Sequence, residues 1–426
     1  MADSEKIQVS WDEVHSAAVD DRLQQQSARL RMTDHYQRQL AEPLQPPPRS
    51  SGQTSLWYNL LFSMTLFGFL GGLCAWPLSE VPWQLLTRSS NETDMLFMEM
   101  TAVFEQIETG GLSQEQAEPL LEQIGMRYQG NPVLAIWENA SLSEAEKDQQ
   151  VTKIRERQQL LGFLGTILLC TIAGMSIAMF LSIADAVVGR NIREVFINGS
   201  IGICLGALGG MLVGLFLDKL YRALGGGSGE HGLAVQIVAR AAVWSILGLF
   251  LAIAPGVVLR SPKKLLIGLA GGFLGGLIGG GVFDPVAMAT GTDWVSRLFG
   301  LTAIGTFSGL CTGLIENTAK TGWLKVATGL IAGKQFILYK NPTIIGSSPL
   351  CEIYLFKDIQ IAPQHAAIHR IPQGYEIQDL GTLPGTSVNG QPVQRVRLRN
   401  QDQVQIGGTT FVFYEKASTS PAVTPA

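Results

Sequence analysis

Six stretches long and apolar enough to cross a bilayer run through this chain of 426 residues, near 57–77, 160–187, 197–217, 240–259, 264–287 and 296–316. A helix needs about 20 apolar residues to span the hydrocarbon core, and inside it every backbone polar group must find its partner within the protein. These runs therefore predict a membrane α-helical bundle of about six spans. Charged residues make up only 15% of the chain and cluster before residue 57, between 78 and 159, and after 317.

Glycine, 48 residues in all, is distributed with a period. Ile201–Leu220 aligns without gaps on Ile267–Val286, an internal repeat that keeps Gly at four-residue intervals and places Asp218 opposite Asp284. Gly202, Gly206, Gly210 and Gly214 fall on one helix stripe, as do Gly268, Gly272, Gly276 and Gly280, and Gly305, Gly309 and Gly313. Arg157, Arg240 and Arg297 lead the helices between them, each with Gly eight residues later, at Gly165, Gly248 and Gly305. Lipid supplies no hydrophobic drive for helix association, so a stripe without side chains works by letting backbones approach. These glycine zippers predict close helix packing within the chain; contact between copies in a homo-oligomer, or the lining of a pore, are the alternatives. Asp218, Asp284 and Glu316 sit at helix ends, and Asp185 lies near the end of the second span.

The polar segments sort around the spans. Residues 1–56 read as a cytosolic tail, partly helical and partly disordered, closed by Pro46-Pro47-Pro48. Residues 78–159 read as an acidic helical extracytosolic segment with helix starts at Ser113-x-x-Gln116 and Ser143-x-x-Glu146. Residues 160–318 form the glycine-rich bundle, and residues 417–426 a disordered tail. Basic residues at Arg190, Arg193, Arg260, Lys263, Lys264 and after the last span put both termini in the cytosol of a multi-pass cell-membrane protein. The first apolar run begins only near Trp57, so a cleavable signal peptide is not expected. A net charge of −4 argues against nucleic acid as a partner. The five cysteines and five histidines show no metal-ligand spacing, and no catalytic constellation or cofactor motif is found.

Residues 333–416 follow a different rule. Short runs alternate large apolar and polar residues, at Lys334–Tyr339, Thr343–Ile345, Cys351–Leu355, Ala366–Ile371, Tyr375–Asp379, Thr386–Val388, Arg395–Leu398, Gln403–Ile406 and Thr409–Tyr414. Turn residues separate them, and the pattern predicts an all-β sandwich. Asn389-Gly390 and Gly407-Gly408 supply the positive φ that tight hairpins require.

This segment resembles a forkhead-associated (FHA) domain. The likeness rests on Ile345-Gly346, His365-Ala366, Tyr375-x-Ile377-x-Asp379-Leu380, Gly385-Thr386-x-Val388-Asn389-Gly390 and Leu398-x-x-x-Asp402-x-x-x-Ile406-Gly407. The whole chain is similar to bacterial membrane proteins that carry such a domain. The resemblance implies a sandwich whose loops at one end hold a phosphothreonine peptide. Gly346, His365, Asp379, Gly385 and Gly390 would shape those loops, while Ser347, Thr382, Thr386 and Asn389 would touch the peptide. It also implies an arginine after Gly346, a serine and a basic residue before His365, and an asparagine before Gly385. Ser347, Ala362, Pro363 and Pro384 stand there instead. A phosphate dianion needs charge-assisted donors, and these side chains offer none. The resulting expectation is a membrane-anchored, non-enzymatic adaptor presenting the domain to a cytosolic protein or phosphoprotein. A channel or transporter regulated through the domain is the alternative.

Overall fold

The computed structural model describes residues 56–225, 232–258, 260–328, 331–356 and 358–416. The expectations for the tails before residue 56 and after residue 416 lie outside them. The chain divides into a helical unit, 61–187 with 194–317, and a second unit dominated by the β-strands that follow Thr318.

The helical unit contains α1 (Leu60–Glu108), α2 (Gln114–Arg127), α3 (Pro132–Trp137), α4 (Glu144–Val188), α5 (Ile192–Ala223), α6 (Leu233–Leu251), α7 (Ala254–Val258), α8 (Pro262–Gly280), α9 (Phe283–Thr290) and α10 (Asp293–Ala319). Among the described residues, six helical segments are long and apolar enough to cross a membrane. The first differs from expectation: α1 does not stop at Pro77 but continues through Pro77 and Pro82 for 49 residues. Its far half is held by neighbours. Gln158 of α4 donates to the Ser89 carbonyl at 3.0 Å and the Thr93 hydroxyl at 2.9 Å, and Asn131 donates to the same hydroxyl at 3.2 Å. The acidic segment is thus largely the extensions of α1 and α4, joined by α2 and α3. Ser113 and Gln116 form a full capping box at the start of α2. Ser143 and Glu146 do the same for α4, with Ser143 N donating to Glu146 at 2.9 Å.

Glycines meet in pairs where the long helices cross. Gly174 of α4 faces Gly206 of α5, Gly248 of α6 faces Gly272 of α8, and Gly68 of α1 faces Gly305 of α10. In each pair a methyl on either glycine would run into the carbonyl oxygen of the other. Gly202, Gly210 and Gly214 extend the first seam along Ala178, Cys170 and Ile167. Gly268, Gly276 and Gly280 extend the second along Ala252 and Trp244, and Gly309 and Gly313 extend the third along Met64 and Leu61. A further stripe escaped the sequence reading: Gly271, Gly275 and Gly279 of α8 abut Thr312, Ser308 and Ile304 of α10. The repeat also breaks at one point. Gly165 is not a crossing residue; a methyl there would sit 3.1 Å from the Trp83 ring, and Gly174 makes the crossing instead. Buried Lys264 pairs with buried Glu316, and the Asp185 carboxylate lies 3.8 Å from the same ammonium.

The second unit is a sandwich. Its strands are β1 (Gly322–Val326), β2 (Gln335–Ile337), β3 (Thr343–Gly346), β4 (Ile353–Tyr354), β5 (Ala366–Ile371), β6 (Gly374–Asp379), β7 (Thr386–Val388), β8 (Gln391–Val393), β9 (Arg395–Leu398), β10 (Gln403–Ile406) and β11 (Thr409–Glu415). They form a six-stranded sheet of order β2-β1-β11-β10-β7-β8 and a five-stranded sheet of order β4-β3-β5-β6-β9. One core joins Leu324, Phe411, Phe413, Val404 and Ile406 of the first to Ile345, Ile368 and Ile377 of the second. The expected boundary at residue 333 is too late. β1 lies inside the larger sheet, pairing with β11 from Gly322↔Glu415 to Val326↔Phe411. β8, also unforeseen, is an edge strand, where the missing N–H of Pro392 is tolerated. The expected strand over Cys351–Leu355 contracts to Ile353–Tyr354.

Candidate functional site

Three loops leave one end of the sandwich: 347–352 after β3, 355–365 between β4 and β5, and 380–385 between β6 and β7. Gly346 closes β3 against the second loop, and a methyl there would collide with the Pro363 carbonyl. That close approach lets Ser347 N donate to the Ala362 carbonyl at 3.0 Å and Ser348 N to the Pro363 carbonyl at 3.2 Å. The buried Cys351 thiol donates to the Pro363 carbonyl at 3.0 Å, and burial pushes its pKa above the ordinary thiol value.

His365 is fully buried and ties the second loop to the third. Its Nδ1 accepts from Ala362 N at 3.2 Å, so the ring proton sits on Nε2, which faces the Gly385 carbonyl at 3.1 Å. A backbone N–H can only donate, and that fixes the tautomer. Asp379 organises the third loop. It accepts from Gly381 N at 2.8 Å, Thr382 N at 3.0 Å, the Thr382 hydroxyl at 3.3 Å and the Thr386 hydroxyl at 2.7 Å. Four donors on one carboxylate leave little freedom in the turn. Gly381 and Gly385 complete it with φ of 77° and 89°, a region unfavourable for residues with a Cβ.

The four residues expected to touch a peptide separate into two pairs. Ser347 and Thr382 lie half-buried at the loop end. Thr386 does not reach the surface: it is 2% exposed, with its hydroxyl committed to Asp379. Asn389 is exposed but bound to the turn that leads into β10, donating to Asp402 at 2.9 Å and accepting from Gln403 N at 2.9 Å. It stands at the far end of β7 from Gly385, ~13 Å away at the usual rise per strand residue. Asn389 and Gly390, with φ of 52° and 79°, make the β7–β8 turn; at Gly407-Gly408 only Gly407 has positive φ.

Sequence reading missed what the loop end does present. Leu350, Ile359 and Leu383, one from each loop, are 69%, 85% and 63% exposed. It also missed Asp358, which accepts from Gln360 N at 3.0 Å and Gly408 N at 2.9 Å, pinning the second loop to the β10–β11 turn. The signal was present as apolar residues in loops, but a linear pattern does not say that three separate loops converge.

The second unit is thus a two-sheet β-sandwich with interlocked loops at one end, in a chain with six membrane-length helices among the described residues. A family model described as "inner membrane component of T3SS, cytoplasmic domain" matches residues 325–417. The glycogen accumulation regulator GarA of Mycolicibacterium smegmatis is 33% identical over 121 residues, 28% of this chain and 75% of GarA. The oxoglutarate dehydrogenase inhibitor of Corynebacterium diphtheriae is 37% identical over 97 residues, 23% of this chain and 67% of the inhibitor. The FHA domain of a Chlamydia trachomatis protein is 31% identical, covering 23% of this chain and 100% of that one, with a TM-score of 0.21. Through its C-terminal domain the chain belongs to the forkhead-associated family.

Proposed function

We propose that this protein is a membrane-anchored adaptor whose FHA domain docks a cytosolic protein by loop shape and apolar contact, without requiring a phosphate. The observation that carries the reading is the replacement of charge by apolar surface at the loop end. Leu350, Ile359 and Leu383 stand exposed there, while Ser347, Ala362, Pro363 and Pro384 occupy the positions where the resemblance implies phosphate donors. Lys357, the one Lys or Arg of the three loops, lies outside the described residues. The Thr382 hydroxyl is already within 3.3 Å of a carboxylate. A cytosolic position for the domain is supported by the basic loops between spans and by the description of the matching family model.

Losing a bidentate contact to a desolvated charge costs about 2–5 kcal/mol, or roughly 30- to several-thousand-fold in affinity. The test is calorimetry of the full chain in detergent micelles against a phosphothreonine peptide library. No phosphate-dependent binding in the micromolar range is expected, and Ser347→Arg should strengthen binding of phosphorylated over unphosphorylated peptides. Micromolar, phosphate-dependent binding by the unmodified chain would overturn the reading and make phosphothreonine capture the function.

A further inference from the structure

A cavity of about 320 Å³ opens in the helical unit, lined from α1, α4, α5, α6, α9 and the start of α10. Two arginines enter its wall, Arg240 and Arg297, each from a helix whose depth is set eight residues later by a glycine crossing, at Gly248 and Gly305. Two carboxylates face them, Asp284 and Asp293. Trp83 and Trp244 supply aromatic wall.

The charges are only partly matched. Arg297 donates Nε and Nη2 to the two oxygens of Glu80, at 2.7 and 2.8 Å. Arg240 brings Nε within 2.9 Å of Asp284 Oδ1, and its guanidinium lies over the Tyr221 ring at 4.9 Å. Yet Asp284 Oδ2 is buried without a hydrogen-bond partner among the described residues. Asp293 is exposed at the mouth and has no ion-pair partner among them. Buried polar atoms left unpaired are uncommon in native proteins, and each calls for a water, an ion or a ligand.

The charge pattern selects the ligand. A simple anion would meet Asp284 and Asp293 beside two guanidiniums that each already hold a carboxylate. A simple cation would meet both guanidiniums, each of which already lies over an aromatic ring, Arg240 over Tyr221 and Arg297 over Trp83. A molecule carrying both signs satisfies both sets of groups. We propose that this cavity binds a zwitterion. Its phosphate or carboxylate would take the uncommitted N–H groups of Arg240 and Arg297, and its primary ammonium would take Asp284 Oδ2 and Asp293. The apolar remainder would lie along Trp83 and Trp244. An aminophospholipid headgroup and a free amino acid share this chemistry.

Two arms distinguish the sources. For the lipid, the full chain is placed in phosphatidylcholine nanodiscs doped with phosphatidylethanolamine, and native mass spectrometry reads the retained lipid. For the free zwitterion, calorimetry in detergent uses O-phosphoethanolamine and L-leucine. Saturable binding is expected in at least one arm. Inorganic phosphate or ethanolamine alone should bind roughly tenfold or more weakly, because each lacks one set of charge-assisted hydrogen bonds. Ala287→Phe fills the cavity without altering either ion pair and should abolish binding. Asp293→Asn, at the exposed mouth where folding is not at stake, should weaken it roughly tenfold. If Ala287→Phe fails to fold, Asp293→Asn decides alone. Absence of saturable binding of all three zwitterions, or binding that Asp293→Asn leaves unchanged, overturns the proposal.

Discussion

At the crossing of α6 and α8, Gly248 and Gly272 bring backbone directly against backbone. In the sandwich, Phe411 and Phe413 of β11 are fully buried and hold two sheets apart. The physical settings explain the contrast. In water, large apolar side chains gain most from burial, and packed sheets lie about 10 Å apart to accommodate them. In lipid the same side chains gain nothing by leaving the tails, so association rests on van der Waals contact and is best where side chains are absent. The two units should therefore fail under opposite substitutions: removing volume damages the sandwich, and adding it damages the bundle.

The largest effect expected is from Phe413→Ala. Deleting a fully buried phenylalanine typically costs about 3–5 kcal/mol, enough to unfold a marginal domain. Limited proteolysis should show rapid cleavage within 322–416 and unchanged protection of 160–317. Equal loss of protection in both would mean that the two units do not fail separately.

Gly272→Leu is the mirror experiment, with about 3 kcal/mol expected at the upper end of overpacking costs. Its side chain would have to enter the Gly248 carbonyl, which belongs to a helix backbone and cannot swing aside. Thermal melts in detergent should show the helical transition lowered. An unchanged transition would remove the α6–α8 seam from the account of the bundle.

The legibility of the sequence follows the same division. Glycine spacing and hydropathy are one-dimensional signals, so the spans and the stripes at Gly202, Gly268 and Gly305 could be read directly. The partner of each stripe could not, because spacing does not say which helix lies opposite. That is why Gly165 was read as the equivalent of Gly248 while Gly174 makes the contact. In the sandwich, alternation marked the long strands but missed β1, whose five residues are separated from the last helix by only Lys320 and Thr321. Motif spacing brought out His365 and Asp379, yet it could not tell that Asp379 draws the Thr386 hydroxyl inward. Nor could it reveal that Leu350, Ile359 and Leu383 share one end of the domain. Contacts between segments far apart in sequence are where the linear reading stops.

A smaller effect should come from the polar stitching of the loop end, which has no counterpart at the glycine crossings. Asp379→Ala removes the acceptor of four hydrogen bonds. Leaving the donor of the buried Thr386 unpaired costs about 1–3 kcal/mol, while the more exposed donors can turn to water. Hydrogen exchange should accelerate at the amides of Gly381 and Thr382 while the β10–β11 ladder stays protected. Loss of protection across the whole sandwich would mean that the carboxylate supports the core rather than the loops.

The smallest expected effect separates glycine as a contact residue from glycine as such. Gly162 and Gly174 lie on the same helix, α4, but a methyl at Gly162 meets nothing within 4 Å, whereas one at Gly174 meets the Gly206 carbonyl. Without a neighbour, glycine in a helix interior only adds flexibility, and alanine is favoured by about 0.5–1 kcal/mol. Gly162→Ala should therefore raise the melting temperature slightly, while Gly174→Ala should lower it, because its Cβ needs space that the crossing does not contain. The pair is informative because the two substitutions are chemically identical and sit in the same helix. A gain at both positions would show that α4 and α5 can separate without loss and would remove close backbone contact as the source of bundle stability. A loss at both would mean that Gly162 also faces a partner, such as a second copy of the chain, and that the glycine contacts extend beyond one protomer.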